Sequence, residues 1–231
     1  MINPFKSKPQ TLGKFPNPIV NPECSELEVN KWVVSDFVLK NLIPTVGINP
    51  FPLDELMLMA TAVTYFKPNY IFEWGTHVGK SARVFYETIK AFDINSHIHS
   101  IDLPDDVVHI EHPKHQRGEM VKGLKEITLY QGDGIAKAME IYKTLKDNPS
   151  VLFFVDGDHS YDSVKKEFSM ILKEVKNPVV LLHDTLLQDE KSGYNIGPYH
   201  AIKDVLAGKE NEYRVISTQT GLPGMTLVCK R

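Results

Sequence analysis

Beyond Pro68 the chain alternates short apolar runs with amphipathic stretches, and this rhythm limits its fold more than any other feature. Periodicity predicts strands over 70–74, 97–102, 126–130, 150–155 and 178–182, and helices over 79–92, 134–146, 160–175 and 198–208. Most of these strands are separated by a helix, too far apart along the chain for a tight hairpin, so crossover units and a mainly parallel sheet follow. The closing runs 212–218 and 224–230 have only a short turn between them and predict an antiparallel hairpin at the sheet edge. The expected architecture is α/β, a doubly wound, mainly parallel seven-stranded sheet.

Upstream the pattern is different. Eight of the fifteen prolines fall between Pro4 and Pro52, and each removes a backbone donor and restricts its predecessor. Residues 1–49 are therefore expected to form an irregular extension, a lid or a dimer contact, with one short helix around 25–39. Residues 50–231 form the main domain. It opens with a helix in which Leu53, Leu56, Met57, Ala60 and Val63 recur at helical spacing, and Asp54 and Glu55 occupy the favourable first turn.

A formal charge of −3 and a pI near 6.3 give no basic stripe for a nucleic acid to follow. Only Cys24 and Cys229 are present, which argues against a disulfide framework or thiolate metal site and fits a reducing cytoplasm. The N-terminus has no basic stretch followed by an apolar run, and no segment approaches the roughly 18 apolar residues of a membrane span. The expected partner is a small molecule, with homo-oligomers left open.

The segment from Tyr70 to Phe92 reads as strand, turn and helix, with Gly75 to Gly79 as the first strand-to-helix loop, where doubly wound sheets bind nucleotides. The loop Gly75-Thr76-His77-Val78-Gly79-Lys80-Ser81 ends like a phosphate loop but has three residues between its glycines where four are needed. Glu73 precedes it, and a carboxylate there repels a triphosphate and suits a cation such as S-adenosylmethionine. Asp102 ends the second strand, placed to accept from ribose hydroxyls, and Gln131-Gly132-Asp133-Gly134 follows the third with another acid. A tight structural turn and a simple loop cap are the plainer alternatives for the glycines and for Asp102.

Together these stretches resemble the class I S-adenosylmethionine methyltransferases, with their Rossmann-like fold. The likeness is strongest to a bacterial group of macrolide-sugar and aminocoumarin-sugar O-methyltransferases and cephalosporin hydroxylase-like proteins. It is carried by Phe72 to Ser81, Ser100 to Asp105, Gly132 to Gly134, Asp156 to Tyr161 and Leu181 to Thr185. It implies methyl transfer to a hydroxyl of a small, sugar-like metabolite, with Glu73, Gly75, Thr76, Gly79, Ser81, Asp102 and Asp133 at the cofactor.

Asp156-Gly157-Asp158-His159 follows the fourth strand and His183-Asp184 the fifth, and neighbouring parallel strands bring both clusters to one sheet edge. By resemblance, Asp156, His183 and Asp184 would hold a divalent metal and His159 would be the general base. A histidine at 183 departs from the group's oxygen ligands, and since Mg2+ prefers oxygen while imidazole suits zinc, manganese or iron, the metal's identity stays open. The plainer reading makes Asp158 and Ser160 helix caps and His183–Asp184 a loop network.

Three further features stand beside this site. His109, His112 and His115 are spaced like ligands, but Pro113 breaks any helix that would align them, which favours a solvated loop that could bring Lys114 or Arg117 to an anionic part of the substrate. The stretch 186–199 is a candidate lid. The rival functions are a phosphate-loop nucleotide hydrolase or kinase using Lys80, Ser81 and Asp156, and a non-catalytic or hydroxylase-like relative of the same fold. No motif identifies the acceptor.

Overall fold

The sheet has seven strands in the order β3-β2-β1-β4-β5-β7-β6. These are β1 Tyr70–Trp74, β2 His97–Asp102, β3 Ile127–Gln131, β4 Val151–Val155, β5 Val179–His183, β6 Tyr213–Ser217 and β7 Met225–Lys230. The first five run parallel, and β7 inserts antiparallel between β5 and β6. The computed structural model describes residue 15 and residues 27–108, 116–192 and 194–231.

Helices cover both faces. α1 (Lys31–Phe37), α2 (Ile43–Val46), α3 (Leu53–Phe66) and α4 (Lys80–Ala91) pack on the face presented by Ile71, Ile98, Leu152, Phe154, Leu181 and Leu227. α5 (Gly134–Tyr142), α6 (Tyr161–Glu174) and α7 (Gly197–Leu206) cover Phe72, Ile101, Phe153, Val180, Leu182 and Val228 on the other. Side chains alternate across a strand, so Ile71 and Phe72 enter opposite cores. A sheet covered twice needs apolar residues at both parities, which is why β4 and β5 are buried along their whole length.

The proline-rich start is more ordered than its composition predicts. Asn30 caps α1 through Trp32 N and Val33 N, and the helix then passes through a π-helical segment, Val38–Leu42, into α2. Pro44 supplies no N–H, and its ring would crowd the Lys40 carbonyl in a regular helix; the wider π turn accommodates it. Val34, Phe37, Val38, Leu42 and Val46 join the core beneath α3 and α4. The helix thus begins later than expected and runs further. At the other end, α5 stops at Tyr142, four residues short of expectation, because Thr144 and Leu145 close tighter turns onto Ile141 and Tyr142.

Candidate active site

The carboxyl ends of β1, β2, β4 and β5 bring together nearly every predicted site residue, in two clusters. The first lies under the β1–α4 loop. Ser81 on α4 and Ser100 on β2 both donate to the Glu73 carboxylate, and the hydroxyls of Thr76 and Ser100 lie 2.6 Å apart. Glu73 is fully buried, so it supports the loop from below and offers no surface to a ligand. Burial raises its pKa to about 7, against the pull of the two serine hydroxyls.

Gly75 has φ of +90°, and a Cβ there would strike the Asp156 carbonyl, so the loop is pressed against the end of β4. Gly79 leads into α4 in the same left-handed region. Asp102 accepts from His77 N at 2.9 Å and Leu103 N at 2.8 Å, which joins the loop to the end of β2. Asp133 caps α5 through Ala136 N at 2.8 Å and is otherwise exposed. Gly134 is a close-approach glycine, but what it approaches is the Trp74 ring, whose indole N–H donates to the buried Glu167.

Two expectations change here. The Lys80 ammonium donates to the Asn49 carbonyl, so it braces the N-terminal segment and leaves a phosphate loop without its cation. The Arg117 guanidinium is held by Asp105 at 2.7 Å, the Leu103 carbonyl at 2.6 Å and Asp102 at 3.4 Å, which ties it to the cofactor-side loop in place of a substrate anion. The three spaced histidines and Lys114 lie outside the described residues.

The second cluster is the chemical one. His183 at the end of β5 donates through Nδ1 to Asp156 at 2.9 Å and through Nε2 to Glu55 at 3.0 Å. Asp184 Oδ2 lies 3.4 Å from His183 Nδ1 and 3.1 Å from His159 Nε2, and His159 Nε2 lies 3.4 Å from Asp156. Asp184 has φ of +57°, a conformation Asp tolerates better than most residues. It is pinned by Thr185 N and Leu186 N, which bond back to Gly224 and Pro223. Asp158 and Ser160 take the plainer role: Asp158 accepts from Ser160, which caps α6.

Three contributors were not foreseen. Glu55 lies on the buried face of α3 one turn before Met59, and it accepts from His183 and from Gly224 N at 2.8 Å. Tyr194 and Asn195, in the predicted lid, reach the cluster: Tyr194 donates to Asp184 at 2.6 Å and the Asn195 amide meets His159 Nδ1 at 3.0 Å. Gly193 lies outside the described residues. The sequence signal for Glu55 was an acid in line with Met59 and Ala62; for the lid residues there was none beyond their position.

The electrostatics of this cluster run opposite to those of the first. Burial alone would raise both aspartate pKa values, but the imidazoles beside them prevail, holding Asp156 below the usual range and Asp184 at about 2. Burial alone would lower both histidines; the carboxylates prevail again, raising His159 and lifting His183 well above its ordinary value. Asp156, His183 and Asp184 present ligand atoms within 4.8 Å of one another, a spacing suited to a divalent ion. The donor set also fits chemically. Carboxylate oxygens and imidazole nitrogens suit a first-row transition ion, and Glu55 at the back of His183 is the carboxylate partner that ligating histidines usually have.

With this geometry in place, residues 72–185, which hold the members of the two clusters other than Glu55, Tyr194 and Asn195, match a family model described as a methyltransferase domain. Residues 72–185 thus carry a methyltransferase domain. No curated protein matches it in sequence. Among solved structures, the chain is similar to an O-methyltransferase from Bacillus cereus in complex with S-adenosylhomocysteine, at 14% identity and a TM-score of 0.57, covering 86% of this chain and 90% of that one. It is also similar to TomG from Streptomyces achromogenes, an O-methyltransferase of tomaymycin synthesis in complex with S-adenosylmethionine (17%, TM-score 0.55, 87% and 88%). A third is the S-adenosylhomocysteine-bound methyltransferase PaMTH1 of Podospora anserina (18%, 0.53, 87% of each). At these identities the likeness establishes the methyltransferase fold, with its seven-stranded sheet and closing hairpin. No helix among the described residues is long and apolar enough to cross a membrane.

Proposed function

We propose that this methyltransferase transfers the S-adenosylmethionine methyl group to a hydroxyl of a small, sugar-like metabolite with the help of a divalent cation held by Asp156, His183 and Asp184. The observation that carries the reading is the convergence of these three groups at the carboxyl ends of β4 and β5, beside the loop pressed onto Asp156. The chain's residues divide the work. The Gly75–Gly79 loop and Asp102 form the nucleoside end, with Glu73, Thr76 and Ser81 fixing the loop from beneath and Gly132–Asp133 bounding its far side. Asp102 keeps acceptor capacity beyond its two amide partners for a pair of hydroxyls.

S-adenosylmethionine supplies an activated methyl group, and the cation, when bound, lowers the pKa of an acceptor hydroxyl and fixes its orientation. Glu55 holds His183 so that Nδ1 faces Asp156, and Tyr194 engages Asp184 Oδ1 so that Oδ2 faces His159. Tyr194 and Asn195 also set the lid segment over the cluster. The base role that resemblance gives His159 requires a lone pair directed at the acceptor. The hydroxyl preference and the cation rest on the donor set and the resemblance.

Labelled S-adenosylmethionine incubated with a panel of polyhydroxylated acceptors, with and without chelator, tests this. Methyl ether products whose formation stops with chelator and returns with a divalent ion are expected. Methylation confined to nitrogen or sulfur acceptors, or turnover indifferent to chelator, would overturn it. Calorimetric titration with S-adenosylmethionine gives the cofactor step separately.

A further inference from the structure

Four ligand atoms form a closed ring in the chemical cluster. Asp156 Oδ1 lies 2.9 Å from His183 Nδ1, which lies 3.4 Å from Asp184 Oδ2; that oxygen lies 3.1 Å from His159 Nε2, which lies 3.4 Å from Asp156 Oδ1. Bonds of about 2.1 Å to one ion separate neighbouring ligand atoms by about 3.0 Å at right angles and about 3.4 Å at tetrahedral angles. All four edges of the ring fall close to that interval; the ligand atoms of Asp156, His183 and Asp184 all lie within 4.8 Å of one another, and His159, outside that group, would have to close toward His183 to share their ion.

His159 Nε2 is buried and close to two carboxylates, yet forms a well-directed hydrogen bond to neither. A base awaiting a hydroxyl has no need of a position between two acidic oxygens, whereas a ligand nitrogen does. The far side of each ring completes the pattern. Glu55 accepts from His183 Nε2, and Asn195 stands 3.0 Å from His159 Nδ1. By a half-turn of its amide, Asn195 presents either the nitrogen or the oxygen to that atom, so it can accept the Nδ1 proton when Nε2 is engaged.

We infer that His159 is the fourth protein ligand of the cation, in place of a free proton acceptor. The site is then a two-histidine, two-carboxylate centre that takes a transition ion such as Mn2+ in preference to Mg2+. The inference rests on the metal-assisted reading above and extends it to the residue that reading leaves as a base. Two imidazoles among four ligands shift the preference away from the all-oxygen shell that Mg2+ favours. Asn195 is a positioning residue that acts through His159.

The test is metal binding by chelator-treated protein, followed for Mn2+ by loss of the free-ion electron paramagnetic resonance signal, with S-adenosylhomocysteine binding and thermal melting as controls of folding. The wild type is expected to bind one Mn2+ per chain, at least tenfold more tightly than Mg2+. His159→Ala is expected to weaken Mn2+ binding at least about 100-fold, Asn195→Leu about 10-fold, and Asn195→Asp, which keeps an acceptor at Nδ1, about threefold or less. His159→Cys loaded with Co2+ should show a thiolate-to-cobalt absorption band, whatever the stability of the alanine variant. Wild-type Mn2+ affinity in folded His159→Ala, or no such band in cobalt-loaded His159→Cys, overturns the ligand role and leaves the metal-assisted reading standing. Failure of the wild type to bind Mn2+ overturns the inference, and failure to bind Mg2+ as well overturns the metal-assisted reading too.

Discussion

Two clusters of buried acid lie side by side at the carboxyl end of the sheet, and they hold their charge in opposite ways. Glu73 is surrounded by hydroxyls and has no cationic partner among the described residues, so burial decides its pKa and lifts it to about 7. Asp184 is also buried and Asp156 partly so, but His159 and His183 sit between them, and Asp184 falls to about 2. The residue type is nearly the same; the partners decide. A carboxylate held by serines braces a loop, whereas carboxylates held around imidazoles keep a charge that a cation can use.

The sharpest way to separate the clusters is to remove the second without touching the first. Asp156→Asn combined with Asp184→Asn is expected to lower methyl transfer at least about 100-fold while changing S-adenosylhomocysteine affinity less than about threefold. Rates measured beside calorimetric titration check this. A large loss of nucleoside affinity would mean that the two clusters form one site.

Gly75→Ala attacks the contact between them. The new Cβ would meet the Asp156 carbonyl at a φ unfavourable to alanine, so a loss of about 3 kcal/mol in stability is expected, with weaker cofactor binding. Denaturant melts measure the first effect and calorimetry the second. Wild-type stability would mean that the loop is not packed as described.

Glu73→Gln tests the first cluster by pH. The ordinary pKa of 4.5 is raised to about 7 in the folded protein, so the unfolded chain ionises first and the wild type loses stability as pH climbs through that window. Glutamine keeps a donor and an acceptor for the serines and removes the loss. The variant should gain about 2–3 kcal/mol on the wild type between pH 4 and pH 8, measured as the change in their stability difference. A wild-type advantage that grows with pH would contradict the contrast between the clusters. The smallest effect is expected from Tyr194→Phe, which removes one donor to Asp184 and should cost about 1 kcal/mol of stability and about tenfold in Mn2+ affinity.

These residues also show where a sequence can be read and where it cannot. The runs Val151–Val155 and Val179–His183 announce buried parallel strands because both faces of the sheet are covered, and their ends fix Asp156 and His183–Asp184 at one edge. Local pattern carries that much. The roles of Glu55 and Asn195 depend on partners 128 and 36 residues away, and no periodicity encodes such a pairing. Glu73 was legible as a site residue but not as one lying beneath the loop, because its two serines come from different elements. Pro44 misled in the other direction: a π turn absorbs the lost donor and lets α1 continue into α2, built into the core.

Crystals grown with S-adenosylhomocysteine and Mn2+, with data collected at the manganese absorption edge, test the central claim most directly. The account predicts one anomalous peak about 2.0–2.3 Å from Asp156 Oδ1, His183 Nδ1 and Asp184 Oδ2, with the nucleoside along the Gly75–Gly79 loop and its ribose at Asp102. A nucleoside bound there with no peak between those three residues, or a peak coordinated elsewhere, would contradict it.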